Sequence, residues 1–482
     1  MPHLLFAVCL GFYLLNGDFL YGNDQSGNML ISANLIKHQS FTISPYQAPT
    51  LFGWEAYPGA EVRPWSEEIR EAYEQGLATP TQPLYYLVET RRPNEFVSVF
   101  GIGAPLTALP VYALVSLFTD VSADGFWWWY TPKLAASLLT ALTVVLLFQT
   151  MRRFVSEPMA AAAALAFGVG TSAWTISSQA LWQHTPFSFF LALGIWFWLG
   201  AGERRYSPYL CGAAFGMAVL CRPTGVLLAA CVGVYLLITN RPGLLKYVLG
   251  GLPFAAVLMI YNHYYFGNPF TVGQQIAGVT LAEAKGKSGA WQMDFARSIP
   301  GLLMSPSRGL FVYSPVLLFA IAGAVMAWKS LRTFAVLIPL QAAFLLHFLV
   351  AAMWYDWWGG WTFGSRTLLD TGVLLVLLMI PVLPRVTAKP ALRALFAALL
   401  LYSAAVQVTG AWSYNARSWN YRNNADIDHP EHRHRLWSLG DSQIVYYLTH
   451  FGEGRAQKQR QIRSYVRAVD KNPVLVDLRQ PE

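Results

Sequence analysis

An all-α, polytopic membrane bundle of about eleven crossings is the fold class this chain predicts, and three observations predict it. Of its 482 residues 55% are hydrophobic and only 12% charged, at a mean hydropathy of +0.36, whereas a soluble domain carries about 25% charge. Apolar runs close to the roughly 20 residues that span hydrocarbon recur from Leu4 to the region of Trp412. Basic residues gather between those runs, at Arg152 and Arg153, Arg204 and Arg205, Arg241 and Lys246, Lys329 and Arg332, and Arg385, Lys389 and Arg393.

Placing every basic loop in the cytoplasm satisfies the positive-inside rule and orders the spans. They fall at 4–20, 130–149, 158–177, 186–200, 208–221, 224–239, 247–266, 309–328, 333–352, 370–384 and 392–412. Eleven crossings put the N-terminus inside and the tail outside. The first run has neither a basic leading segment nor a small-x-small cleavage site before Tyr21, so it reads as an uncleaved span. Segment 96–118, broken by Gly101, Gly103, Pro105 and Pro110, would invert every later loop if it crossed; it is expected as a broken interfacial helix under a large first external loop, 21–129. A transmembrane domain of 1–412 and a soluble external tail of 413–482 follow.

The net charge of +8 sits in loops and tail, where it sets topology rather than binding nucleic acid. Cys9, Cys211, Cys221 and Cys231 lie within apolar runs without ligand spacing and are expected as packing residues. Eighteen Trp and 24 Tyr suit interfacial belts and polar cavities. Neither an inverted repeat nor a phosphate loop of the Gly-Lys-Ser/Thr type is present.

Unusual polar motifs gather at one end of the spans. Asp24 follows the first span and opens an amphipathic helix with Met29, Leu30, Ala33, Leu35 and Ile36 on its apolar stripe. Its carboxylate can cap that helix, or act as a general base by taking a proton from an acceptor hydroxyl; Asp18 is the weaker candidate. At the same end come Gln183-His184, Arg222-Pro223, Tyr261-Asn262, Arg308 and the run Trp357-Trp358-Gly359-Gly360-Trp361. The loop carboxylates Glu55, Glu61, Glu67, Glu68, Glu71 and Glu74 read as a solvated face. In the tail, His429-Pro430-Glu431-His432-Arg433-His434 has spacing that can hold zinc, but no Cys partner or scaffold is evident, and no metal is assigned there.

These motifs resemble a family. Asp24 followed by Ala33-Asn34-Leu35-Ile36 is similar to the first external loop of the GT-C glycosyltransferases, which use polyprenyl-phosphate sugars and include protein O-mannosyltransferases and the lipid A aminoarabinose transferase. The likeness continues through Phe100 to Leu106 with Pro110 and Tyr112, through Ala173-Trp174 and Leu181 to Pro186, and through Phe266-Gly267-Asn268-Pro269. Ser305 to Phe311 and Trp357 to Arg366 resemble a bacterial group of the same kind. It covers most of the chain to about 412.

The resemblance implies inverting transfer from a polyprenyl-phosphate sugar to a saccharide, lipid or protein acceptor, at the external face of a bacterial inner membrane. Asp24 would be the base. Arg366, Arg308 and Arg222, whose planar forks match phosphate, would bind the leaving group, with His184, Gln183, Tyr261, Asn262, Gly359, Gly360 and Trp361 beside the substrate. Some relatives carry an acidic residue where this chain has His184, so a carboxylate-bound divalent metal is doubted and no cofactor is assigned. A transporter or flippase of a lipid-linked saccharide is the alternative; it would carry repeat symmetry and polar residues at midplane, against the one-sided cluster here.

Overall fold

The computed structural model describes residues 1–20, 23–83, 87–200, 205–284, 288–472 and 474–475, so Tyr21, Gly22 and Arg204 of the motifs above lie outside the described residues. Its helices are α1 (Pro2–Leu14), α2 (Asn23–His38), α3 (Glu67–Glu74), α4 (Gly103–Ser116), α5 (Gly125–Met151), α6 (Glu157–Gly170), α7 (His184–Leu199), α8 (Ser207–Cys221), α9 (Gly225–Thr239), α10 (Arg241–Phe266), α11 (Gly273–Ala284), α12 (Phe295–Met304) and α13 (Leu310–Tyr313). They continue with α14 (Leu318–Lys329), α15 (Leu331–Phe334), α16 (Ile338–Met353), α17 (Gly372–Leu378), α18 (Leu383–Ala388), α19 (Pro390–Ser413), α20 (Gln443–Thr449) and α21 (Phe451–Lys471).

Among the described residues four helical stretches are long and apolar enough to cross a bilayer, at Gly125–Met151, Arg241–Phe266, Leu331–Met353 and Pro390–Ser413, and seven shorter apolar helices accompany them. The chain is an integral membrane protein. Helix α5 stands at the centre, packed on α1, α4, α6, α7 and α21. Where α6 meets it, Ala160, Ala161, Ala163, Ala164 and Ala166 are buried, small side chains that let backbones approach where lipid supplies no hydrophobic drive. The basic residues sit at helix ends, Arg152 closing α5, Arg241 opening α10 and Lys329 closing α14.

Segment 96–118 departs from the expectation of one broken helix. Phe96–Ser98 is a strand, paired antiparallel with Leu87–Glu89, and α4 begins only at Gly103. Its 14 residues reach roughly 21 Å at 1.5 Å per residue, short of the 30 Å of hydrocarbon. The glycines before it have a packing reason: a Cβ at Gly101 or Gly103 would run into the backbone of Leu220–Cys221 at the end of α8.

The rest of the loop also carries more than interfacial helices. A three-stranded antiparallel sheet, Arg63–Pro64 with Phe52–Glu55 and Thr79–Pro83, buries Trp54 against Trp65 and Tyr73. Helix α3 is capped by the Ser66 hydroxyl, which accepts from the Ile69 amide at 3.3 Å, and its glutamates face solvent as expected. Helix α2 is not simply amphipathic: Met29, Leu30 and Ala33 are buried, but so are Gln25, Asn28, Ser32 and Asn34, while Ile36 is exposed.

Two further departures position the site. The stretch expected as a span at 370–384 is a broken, protein-enclosed segment, with residues from Leu368 to Ile380 buried throughout and α17 only seven residues long. The segment after 413 is not a separate tail: Tyr414, Trp419, Ile427, Leu436, Ile444 and Tyr447 belong to the bundle's main core. Among them, Ser305 donates to the Leu436 carbonyl at 2.6 Å and Lys458 of α21 to the Ala411 carbonyl at 2.7 Å.

Candidate functional site

Helix α2 is held by its polar residues. Gln25 donates to the Leu20 carbonyl at 2.7 Å, and Asn28 to the Leu181 carbonyl at 2.9 Å, which docks the start of α2 on the turn between α6 and α7. That turn passes through a π-helical stretch at Ala173–Ser177 and is buried from Ala173 to Ser188, irregular backbone tolerated because protein covers it. Asp24 therefore lies within the first turn of α2, one residue past its start at Asn23, rather than in the cap position. Its carboxylate favours the helix N-terminus electrostatically, and it forms an ion pair with Arg366, 342 residues away.

Arg366 enters from the other direction. It opens a 3₁₀ turn, Arg366–Thr371, after a loop in which Gly359, Gly360 and Gly364 take left-handed φ of +75°, +65° and +74°. Gly359 lies against the Arg366 side chain, where a Cβ would meet its Nε at an ordinary contact distance of 3.4 Å; it is the left-handed φ that favours glycine there. The guanidinium lies over the Trp182 ring, 5.2 Å from its centroid, and keeps 16% of its side chain exposed while Asp24 keeps 30%.

One turn on, Asp370 is 1% exposed and surrounded by three partners. The His184 Nδ1 is 2.8 Å from its Oδ1, the His347 Nε2 is 3.6 Å from its Oδ2, and Arg222 forms an ion pair with Oδ2. The Arg222 Nη1 is also 2.9 Å from the His184 Nδ1. With Asp370 ionised, a bond of 2.8 Å places the proton on that nitrogen, so Nδ1–H donates to Asp370 while the Arg222 guanidinium pairs as a donor with the other carboxylate oxygen. Arg222 gets there because α8 ends at Cys221: Arg222 is extended, at φ −153° and ψ 119°, and the following proline cannot continue the helix.

Of the residues named from the sequence, the structure brings together Asp24, Arg366, Arg222 and His184, with Gly359 against Arg366. Others lie in different settings. Arg308 is 1% exposed and ringed by neutral acceptors: the carbonyls of Trp358 (2.9 Å), Ser307 (2.8 Å) and Gly360 (3.0 Å) and the Asn420 Oδ1 (3.0 Å). Through these bonds the arginine spans the glycine loop and Asn420. Asn262 donates to the Pro269 carbonyl at 3.1 Å and closes the turn after α10, while Tyr261 packs edge-on to Phe41. With Pro223 they line a small cavity below the Ser98–Ile102 stretch. Gln183 precedes α7 and is buried. The Gly360 amide donates to Asp356 at 3.1 Å, and the Trp361 indole to Asp426 at 2.9 Å.

Asp18, the second candidate base, faces a different partner. It is 4% exposed, with Lys458 Nζ 3.7 Å from its carboxylate and Lys133 donating to its backbone carbonyl. It anchors α21 to the end of α1. Asp370 and His347 went unnamed in the sequence because both sit in runs counted as spans; an ionisable residue inside such a run is itself the signal.

Residues 106–265, less than half of the chain, match the family model described as dolichyl-phosphate-mannose-protein mannosyltransferase. That stretch includes His184 and Arg222; Asp24, Arg366 and Asp370 lie beyond it. Two crystal structures of ArnT from Cupriavidus metallidurans are similar over 97% of this chain at 14% identity: the apo state, with 73% of that chain covered and a TM-score of 0.49, and the form bound to undecaprenyl phosphate, with 74% covered and a TM-score of 0.47. No curated relative matches.

Proposed function

We propose that this chain, a glycosyltransferase of the polyprenyl-phosphate-dependent kind by its 106–265 domain, moves a sugar with inversion from a polyprenyl-phosphate carrier to a hydroxyl of a saccharide, lipid or protein acceptor. The reaction takes place at the external face of the bacterial cytoplasmic membrane. The observation that carries this reading is the Asp24–Arg366 pair beside Arg222–Asp370: two guanidiniums at one end of a lipid-embedded bundle, one held by a partly open carboxylate and one by a buried carboxylate. Basic residues at the opposite helix ends support the sidedness.

In the step itself Asp24 takes the proton of the acceptor hydroxyl, and the oxygen attacks the anomeric carbon as the bond from that carbon to the phosphate oxygen breaks. The carrier's phosphodiester becomes a phosphomonoester, so negative charge grows on the leaving group. Arg366 and Arg222 take that charge, since a guanidinium fork gives phosphate paired, charge-assisted hydrogen bonds. When Arg366 turns from Asp24 to the phosphate, the carboxylate is released for the acceptor, which couples donor binding to base activity. Asp370 and His184 position Arg222. Gly359 turns the backbone beside Arg366 through its left-handed φ, and the Trp182 ring packs against the guanidinium. With Arg222 on the Asp370 carboxylate, arginine rather than a divalent metal serves the phosphate.

The test is to incubate the purified protein with a panel of polyprenyl-phosphate sugars and candidate acceptors, with and without chelator. Release of polyprenyl phosphate coupled to a new glycoside, unchanged by chelator, is the expected outcome. Movement of the lipid-linked sugar across vesicles without bond cleavage would replace the transferase with a flippase. Chelator inhibition reversed by a divalent ion would hand the phosphate to a metal.

A further inference from the structure

We propose that His429, Glu431 and His432 form a binding site for Zn²⁺ or a comparable divalent transition ion, away from the Asp24 cluster, on a turn of the segment after α19 that is itself docked on the glycine loop. Their ligand atoms lie within 4.8 Å of one another, and His429 Nδ1 is 4.0 Å from Glu431 Oε2. Tetrahedral zinc with bonds of about 2.0–2.1 Å wants ligands roughly 3.4 Å apart. His429 and Glu431 are exposed, so their side chains are free to rotate toward that spacing. Imidazole and carboxylate together favour zinc and its neighbours over magnesium or calcium.

The sequence offers no visible scaffold for these ligands, and the fold supplies one. Residues Pro430–Trp437 form a 3₁₀ helix, whose three-residue turn stacks positions three apart on one side. His429 and His432 hold that relation, their rings 5.8 Å apart. Behind them the backbone is pinned from 65 and 70 residues away: the Trp361 indole donates to Asp426 at 2.9 Å and the Trp358 indole to Asp428 at 2.8 Å. The Asp428 amide donates to the Asp426 carboxylate at 2.9 Å, the His429 amide to the Asp426 carbonyl at 3.0 Å, and the His432 amide to the His429 carbonyl at 3.0 Å. Arg433 then crosses back over the Trp358 ring at 4.4 Å. A bound ion therefore ties a turn whose two anchors are the tryptophans flanking Gly359 and Gly360.

The experiment uses the full chain in detergent, without an affinity tag, stripped with chelator and titrated with Zn²⁺ against a chromophoric competitor. One equivalent should bind. His429→Ala and His432→Ala should each weaken it by roughly 10–100-fold or more, the scale known for perturbing metal-site residues, and the double variant should lose it. His450→Ala, whose ring stacks on Tyr446 instead, should bind as the parent does. Zn²⁺ should also raise the unfolding midpoint of the parent and not of the double variant. No saturable equivalent in the parent, or parent-like binding by the double variant, would overturn the proposal.

Discussion

Arg308 and Arg366 both lie at the Asp24 end of the bundle and both lie over an indole, Trp419 at 5.4 Å and Trp182 at 5.2 Å. What surrounds them differs. Arg308 is closed off at 1% exposure and bonded to three backbone carbonyls and an amide oxygen. Arg366 is partly open and paired with a carboxylate that is itself 30% exposed. Backbone carbonyls cannot leave, so an arginine ringed by them is a fixed part of the loop. A carboxylate partner can be exchanged for phosphate, and its own release is then available for chemistry. Residue type and the indole alongside do not separate the two; exposure and the chemistry of the partner do.

Breaking the first member of that comparison should give the largest effect. Arg308→Ala would orphan the Ser307, Trp358 and Gly360 carbonyls, at roughly 1–3 kcal/mol for each buried acceptor, so folded yield on size exclusion in detergent should collapse. Recovery of a folded, donor-blind protein would instead make Arg308 a phosphate ligand. Next in size, Arg366→Ala should leave a folded protein with turnover lower by about 10²–10³-fold, the scale of one lost charge-stabilising donor. Arg366→Lys should keep more activity, because it retains charge without the fork. Equal losses in the two would point to a purely structural role.

The smallest effect sharpens the loop's part. Gly359→Ala places an L-residue at φ +75°, a conformation costing about 1–2 kcal/mol. A lowered unfolding midpoint with turnover per folded molecule reduced only a few-fold is expected. An unchanged midpoint would mean the loop does not need the left-handed backbone.

How far the sequence carried the site depended on whether partners were local. Asp24, Arg222, His184 and Arg366 were legible because each falls where an apolar run ends, and span ends collect on one face. The bundle of apolar helices was legible for the same reason, although the stretch expected as a span at 370–384 was not one. Asp370 and His347 were hidden by the apolar residues around them, although their ionisable groups marked those stretches as more than lipid-facing helix. The surroundings of Arg308 were not legible because its acceptors, at Trp358, Gly360 and Asn420, are 50 to 112 residues distant and are main-chain or amide oxygens that no motif displays. The scaffold of the His429 turn was invisible for the same kind of reason, and the strands of the first loop were lost because short antiparallel strands of two to five residues leave little periodicity.

The central claim is that Asp24 is the base and Arg366 its release, and the most direct measurement is turnover and donor binding of Asp24→Asn beside Asp18→Asn. Asn keeps the size of Asp and its place in the first turn of α2 while removing the basic carboxylate. Asp24→Asn should therefore bind the lipid donor as well as the parent or better, Arg366 being freed, and lose about 10²–10⁴-fold in rate. Asp18→Asn, which only loosens the Lys458 anchor, should turn over nearly as the parent does once folded. Parent-like turnover by Asp24→Asn, or inactivation by Asp18→Asn alone, would contradict the assignment.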